Sequence, residues 1–197
     1  MQLLEPILIN FVSIGKWNKS LFTGSWVSTN LFGLSKGEKF NALVSPDDLQ
    51  FIFQHKGISI IPTESAIDIK VDEYNEVEKK VKLMNSIATK LFLLLPHTPI
   101  KASGFNLKYQ ITNQIKENQY INELRNKIKQ LASPNLESIG FKESKSNHIF
   151  NTIITNIDNQ GSFDLTFNFH YDDKLVISNN TFNDNRATAT KLINGQK

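Results

Sequence analysis

Cysteine is absent from the 197-residue chain, which excludes disulfide frameworks, cysteine zinc sites, iron–sulfur clusters and thiol nucleophiles. Glycine and proline are sparse, with 9 and 6 residues, so collagen-like and linker classes are excluded as well. Arginine occurs only at Arg125 and Arg186, although the net charge is +3. Because arginine is best suited to bidentate contacts with phosphates and bases, this scarcity argues against sequence-specific nucleic-acid recognition.

Long hydrophobic runs are also missing. The strongest apolar run, residues 87–95, contains Lys90 and stops at Pro96, about half the ~20 residues that span a bilayer. Residues 1–10 show neither a basic start nor a cleavage motif of the signal-peptide kind. We therefore expect a cytoplasmic protein that does not interact with membranes.

What the chain does contain is enough apolar material for a core. Hydrophobic residues make up 40% of it, including 14 phenylalanines, and charged residues make up 21%. Such a composition disfavours intrinsic disorder. The length predicts a single domain over residues 1–197, within which residues 1–112 and 113–197 form two similar halves, each with a meander beside a long helix.

The hydrophobic pattern predicts strands grouped around helices. Strands are expected at 6–14, 49–54, 58–61, 67–71, 105–111, 136–142, 149–157, 162–171 and 175–178, and helices at 73–94, 113–131 and 182–193. This order predicts an α+β fold in which antiparallel meanders pack against two long central helices, with a short C-terminal helix.

The helix at 73–94 has the clearest pattern. Asp72 is its predicted N-cap, and Lys80 belongs to its predicted charged side. The hydrophobic stripe and the last strands supply the predicted core, which includes Val77, Val81, Met84, Leu91, Leu124, Phe163, Phe167 and Phe169.

One strand carries a candidate metal site. In the strand at 162–171, His170 and Asp172 share the polar face, where an imidazole and a carboxylate could hold a metal or orient a general base. The same residues also fit the solvated face of an antiparallel sheet.

A second candidate site resembles the signature of the restriction-endonuclease-like nucleases. Its residues are Pro46 and Asp47, followed by Asp68, Ile69 and Lys70 on a strand that leads into a long helix. The resemblance implies that Asp47 and Asp68 hold Mg²⁺ while Lys70 helps to activate water. Acidic and lysine residues recur at this spacing elsewhere in the chain, and ion pairing on a solvated face explains them equally well.

Aromatic residues near the N-terminus form a third candidate site. Trp17 and Trp26 lie close to other aromatics and to lysines, and they either pack in the core or anchor a partner. With no complete catalytic constellation and no cofactor motif, we interpret the chain as a non-catalytic binding or assembly subunit of bacterial or phage type. The expected partner is another protein or a second copy, covering a sheet edge or the Trp17/Trp26 region. The alternatives are a Mg²⁺-dependent nuclease and a non-specific nucleic-acid-binding protein.

Overall fold

The computed structural model of the chain describes residues 4–45, 50–112, 118–131, 137–145, 148–158, 161–172 and 179–194. Its strands form an antiparallel sheet of nine strands. They are β1 (Leu8–Gly15), β2 (Asn41–Val44), β3 (Phe51–His55), β4 (Ile58–Pro62), β5 (Ala66–Val71), β6 (Ile100–Ile111), β7 (Ser138–Ser144), β8 (Ile149–Thr155) and β9 (Phe163–Asp172). The helices are α1 (Gly24–Trp26), α2 (Val77–Leu94), α3 (Gln119–Leu131) and α4 (Asn179–Asn194), with a 3-10 turn at Lys19–Leu21 and a π-helical turn at Val27–Leu31. Within these ranges, no helix combines the length and the apolar character needed to cross a bilayer.

The predicted α+β fold with two long central helices and a short C-terminal helix is wrong. Among the described residues the longest helix is α2, with 18 residues, and α4, which was expected to be short, has 16 residues against 13 in α3. The strands that were assigned to separate meanders belong to one sheet. Hydrophobic periodicity identifies a strand but does not show which strands it pairs with. Separate meanders and one continuous sheet therefore have the same local sequence pattern.

The first of two compact units comprises residues 10–104 and 171–182. Its strands lie in the order β2-β3-β4-β5-β1, with Ile60 of β4 opposite both Phe53 of β3 and Ile69 of β5. The predicted three-stranded meander is therefore confirmed for β3, β4 and β5. The turn between β3 and β4 places Lys56 and Gly57 at positive φ, 49° and 72°, a twist that suits a tight hairpin.

Helix α2 begins later than predicted. Its N-cap is Glu76, in the left-handed conformation, and the backbone N–H of Asp72 instead donates to the carbonyl of Gly57. The assignment of Asp72 as the N-cap is thus wrong, because the backbone of Asp72 is bonded to the β3–β4 turn and the helix begins later. Three of the four core residues predicted in this helix, Val81, Met84 and Leu91, are buried, whereas Val77 is only half-buried.

Lys80 lies at the corner between α2 and the β3–β4 turn, and its predicted position on the charged outer side is wrong. It is 8% exposed. Its ammonium donates to the backbone carbonyl of Glu73 at 3.0 Å, to the Glu73 carboxylate at 2.8 Å and to the side-chain carbonyl of Asn75. The positive φ of Gly57, 72°, favours glycine in this turn, and a Cβ there would stand 2.8 Å from the Lys80 Nζ and displace the end of that side chain.

The second unit comprises residues 1–9, 105–170 and 183–197, with strands in the order β6-β9-β8-β7. Its core is aromatic: the Phe150 ring lies 5.6 Å from that of Phe167 and 5.0 Å from that of Phe169. Both Phe167 and Phe169 are buried, as predicted, and so are Phe163 and Leu124. Helix α3 packs on this core through Tyr120, whose ring centroid lies 6.3 Å from that of Phe167.

Candidate functional site

Two residues of the nuclease-like motif meet on β5. Lys70 Nζ lies 3.6 Å from Asp68 Oδ2, and the side-chain amide of Asn10, on β1, donates to Asp68 Oδ1 at 2.8 Å. Burial raises the pKa of the Asp68 carboxyl, and the contacts with Asn10 and Lys70 oppose only part of that rise. Both carboxylate oxygens therefore have a partner within the sheet. Asp47, the third residue of the motif, lies outside the described residues.

A second carboxylate, that of Asp72, is held by donors from neighbouring strands. The Ser59 hydroxyl donates to Asp72 Oδ2, and Gln54 Nε2 donates to Ser59 Oγ at 3.0 Å. The negative charge of Asp72 adds to the rise in the pKa of Asp68. The part of this face that the structure describes is thus a hydrogen-bonded polar network, and no group of three His, Cys, Asp or Glu residues in it is placed to hold a metal ion.

The two candidate metal ligands on β9 have different exposures. His170 is half-buried opposite Ile149 of β8, whereas Asp172 is exposed at the end of the strand. Within the described ranges, no third His, Cys, Asp or Glu side chain completes a metal-binding group with them. A metal at His170 and Asp172 stays a prediction.

The two tryptophans belong to a packed aromatic group of the first unit. Trp17 is 4% exposed, and its indole N–H donates to the carbonyl of Ser13 at 3.1 Å. Phe22 lies edge-on to both indoles, with ring centroids 6.4 Å from Trp17 and 5.4 Å from Trp26. Trp26 is half-buried, and its backbone N–H donates to the Thr23 hydroxyl that caps α1. The accessible apolar surface of this region therefore lies beside the tryptophans.

That accessible surface is a groove next to β2, here called the β2 groove. It has a volume of about 520 Å³. Its apolar wall consists of Phe22, Ala42, Phe51 and Phe53, and its polar rim includes Lys19 and Glu64. The exposed ring of Phe51 stacks on the buried ring of Phe53, with centroids 6.0 Å apart, so Phe51 supplies the accessible apolar surface on this strand.

Strand β2 lies at one edge of the described sheet. It pairs with β3 and stands last in the strand order, and all four of its residues are exposed. Leu43 is 49% exposed, Val44 52%, and Phe51, opposite Val44, 45%. Natural edge strands usually carry charges, prolines or bulges that prevent pairing with another chain. β2, with the sequence NALV, has no charge and no proline.

No family model and no curated protein matches the chain. The geometry of its surfaces therefore carries the functional argument.

The aromatic pattern predicts Trp17 and Trp26 as candidate contacts, but no local pattern predicts β2. Four residues are too few for an alternating pattern, and Pro46 and Asp47, which come shortly after the strand, indicate a turn. The signal that could have found the strand is Ala42-Leu43-Val44, three uncharged residues shortly before Phe51 and Phe53. A hairpin partner for Phe51–His55 would have been the corresponding prediction.

Proposed function

We propose that the protein is a non-catalytic binding subunit that accepts an extended strand from a protein partner at the edge of β2. The observation that carries the proposal is the exposed, uncharged edge at Asn41–Val44. Backbone N–H and C=O groups on the outer side of an edge strand can pair with a further strand. Strand addition of this kind is a common mode of peptide recognition.

The β2 groove gives such a strand its specificity. Side chains alternate along a strand, so every second side chain of the partner would point to the face on which Phe51 and Phe53 lie. Covering half-exposed Leu43, Val44 and Phe51 removes their apolar surface from water, worth roughly 1 kcal/mol for each side chain. An extended, apolar and largely uncharged segment is therefore the ligand that this edge fits.

Crosslinking from the edge strand β2, with the edge strand β7 as the control, tests the proposal. A photoreactive side chain at position 43, in the full chain expressed in its native host, should capture a partner protein. The same side chain at Gly140, an exposed residue of the other edge strand β7 with open space around it, is the matched control and should capture none. Val44→Lys should abolish the crosslink at position 43, because a charge on the edge opposes pairing.

If position 43 captures a second copy of this protein, binding by strand addition still holds, and the partner is the protein itself. A monomer at tens of micromolar that gives no crosslink at position 43, or equal crosslinks at positions 43 and 140, would contradict the proposal.

A second candidate function is the Mg²⁺-dependent nuclease. It is favoured by one observation: Asp68 and Lys70 lie together on β5, and the pKa of the Asp68 carboxyl is raised, as is common at functional sites. The proposal predicts Mg²⁺-dependent cleavage of DNA or RNA that Asp68→Ala abolishes. Non-specific nucleic-acid binding through lysines would instead appear as oligonucleotide binding that weakens steeply with salt. Absence of both activities would remove these two alternatives.

A further inference from the structure

The second unit contains a cleft on the same side of its sheet as α3, here called the Tyr120 cleft. Its volume is about 250 Å³, close to the lower end of the ~300 to 1,000 Å³ typical of small-molecule sites. Apolar side chains form its floor, and hydroxyl and charged groups lie around them. The floor consists of Leu124, Phe150 and Leu192, and the polar lining includes Tyr120, Thr152 and Lys127.

The lysines that line the cleft differ in whether a carboxylate neutralises them. Lys145 is neutralised by its ion pair with Glu143. Lys127, on α3, has no carboxylate within 4 Å among the described residues, and its Nζ instead lies 4.4 Å from the centroid of the Phe141 ring. A cation over an aromatic face is held in place yet keeps its charge. The ammonium group of Lys127 is therefore not neutralised by a carboxylate of the described chain, and Lys142, which also lines the cleft, adds a second positive charge.

Hydroxyl groups supply a second donor. The Tyr120 and Thr152 hydroxyls lie 3.1 Å apart, so one donates to the other and a single hydroxyl hydrogen is left for a ligand. Burial raises the pKa of Tyr120, and the negative charge of Glu143 adds to the rise. Tyr120 is therefore protonated at neutral pH. Ammonium and hydroxyl donors above an apolar floor are complementary to an anion attached to an apolar body.

We propose that the Tyr120 cleft binds a small carboxylate with a single aromatic ring or a short aliphatic chain. The ring lies on Leu124, Phe150 and Leu192, and the carboxylate accepts hydrogen bonds from Lys127 and from the hydroxyl pair of Tyr120 and Thr152. This site is separate in its residues from the β2 groove, and it does not depend on the strand-binding function. Its size admits one ring rather than a nucleotide or a peptide.

Benzoate is a suitable probe, and benzamide, which has the same ring and no charge, is its matched control. Titration of the labelled full chain by NMR should show benzoate shifting the amide signals of three residues that line the cleft, Tyr120, Glu143 and Thr188, with a dissociation constant on the order of 1 mM. Benzamide should bind several-fold more weakly. Lys127→Met keeps the apolar stem and removes the charge, and it should weaken benzoate binding about fivefold. Lys129→Met, on the same helix and also exposed, should change nothing.

Three results would overturn the proposal. The first is the absence of cleft shifts at benzoate concentrations about tenfold above that constant. The second is equal binding of benzoate and benzamide. The third is unchanged benzoate binding by Lys127→Met. Tyr120→Phe offers an independent variant, because it keeps the ring on Phe167 and removes only the hydroxyl, and it should weaken benzoate more than benzamide.

Discussion

In each unit the last strand of the meander lies beside the unit's first strand and carries an aspartate. On β5 this residue is Asp68, which receives a hydrogen bond from Asn10 and lies 3.6 Å from Lys70 of its own strand. On β9 it is Asp164, which lies 2.7 Å from Lys108 Nζ of β6 and accepts a hydrogen bond of 2.6 Å from Asn156. The side chain of Asp68 is 26% exposed, and that of Asp164 is 11% exposed.

The difference shows that two aspartates at corresponding places in a sheet can have different electrostatic surroundings. The neighbouring strand supplies a full positive charge to Asp164 but only an amide to Asp68. A buried carboxylate is tolerated when a charged, hydrogen-bonded partner accompanies it. Asp164 therefore acts as part of an ion pair that joins two strands, whereas Asp68 keeps a charge that its surroundings disfavour.

The largest expected effects come from the helices that cover the two sheet segments. Leu91→Ala in α2 should cost about 3 to 5 kcal/mol, because Leu91 is fully buried and leaves a closed cavity. Leu124→Ala in α3 should cost less, about 2 to 3 kcal/mol, because Leu124 borders the open Tyr120 cleft. Denaturant unfolding measures both changes. Leu93→Ala is the control: it is 74% exposed, and a loss equal to that of Leu91→Ala would refute the packing of α2.

The two aspartates should respond differently to neutralisation. Asp164→Asn leaves Lys108 without its carboxylate and should lower the free energy of unfolding at neutral pH by about 1 to 3 kcal/mol. Asp68→Asn keeps a hydrogen-bonding side chain and removes a disfavoured charge, so the free energy of unfolding should stay within about 0.5 kcal/mol of wild type. Urea titrations of the two variants make the comparison. A larger loss for Asp68→Asn would reverse the roles assigned here.

The smallest expected effect is the contribution of Asp68 to the pH dependence of the free energy of unfolding. Burial raises its pKa in the folded chain above the ordinary value of an aspartate carboxyl. Its charge therefore destabilises the fold above the raised pKa, and this penalty disappears as the pH falls to about 4 and below. Asp68→Asn should thus stabilise the chain more at pH 7 than at pH 4, relative to wild type. A difference of opposite sign would mean that the folded state favours the charged form.

Much of the sheet could be predicted from the sequence because its strands alternate cleanly. Phe51–His55, Ile58–Pro62 and Ala66–Val71 have turn residues between them, and Phe163–Asp172 alternates over its whole length. The start of β6 was missed, since Lys101, Ala102, Ser103 and Gly104 are weak strand formers. Their pairing comes from neighbouring strands and not from local preference.

The candidate sites were harder to predict because they depend on contacts between distant residues. Asp68 and Lys70 share a strand, so their proximity followed from alternation alone. The partnership of Asp68 with Asn10 needs the pairing of β1 with β5, 58 residues apart, which no local pattern reveals. The same holds for the Tyr120 cleft, where residues of α3, β7 and β8 meet only after the fold has formed.

The hydrogen-bonded ammonium of Lys80 makes the opening of the corner beside α2 measurable by chemical modification. Three oxygens accept its hydrogen bonds, and the Lys80 side chain is only 10% exposed, so an amine-reactive reagent should modify this nitrogen much faster when the corner opens. Exposed lysines such as Lys79 on the same helix react without such an opening. The ratio of acylation at positions 80 and 79, followed by mass spectrometry, therefore measures how often the hairpin and the helix separate while the rest of the chain stays folded.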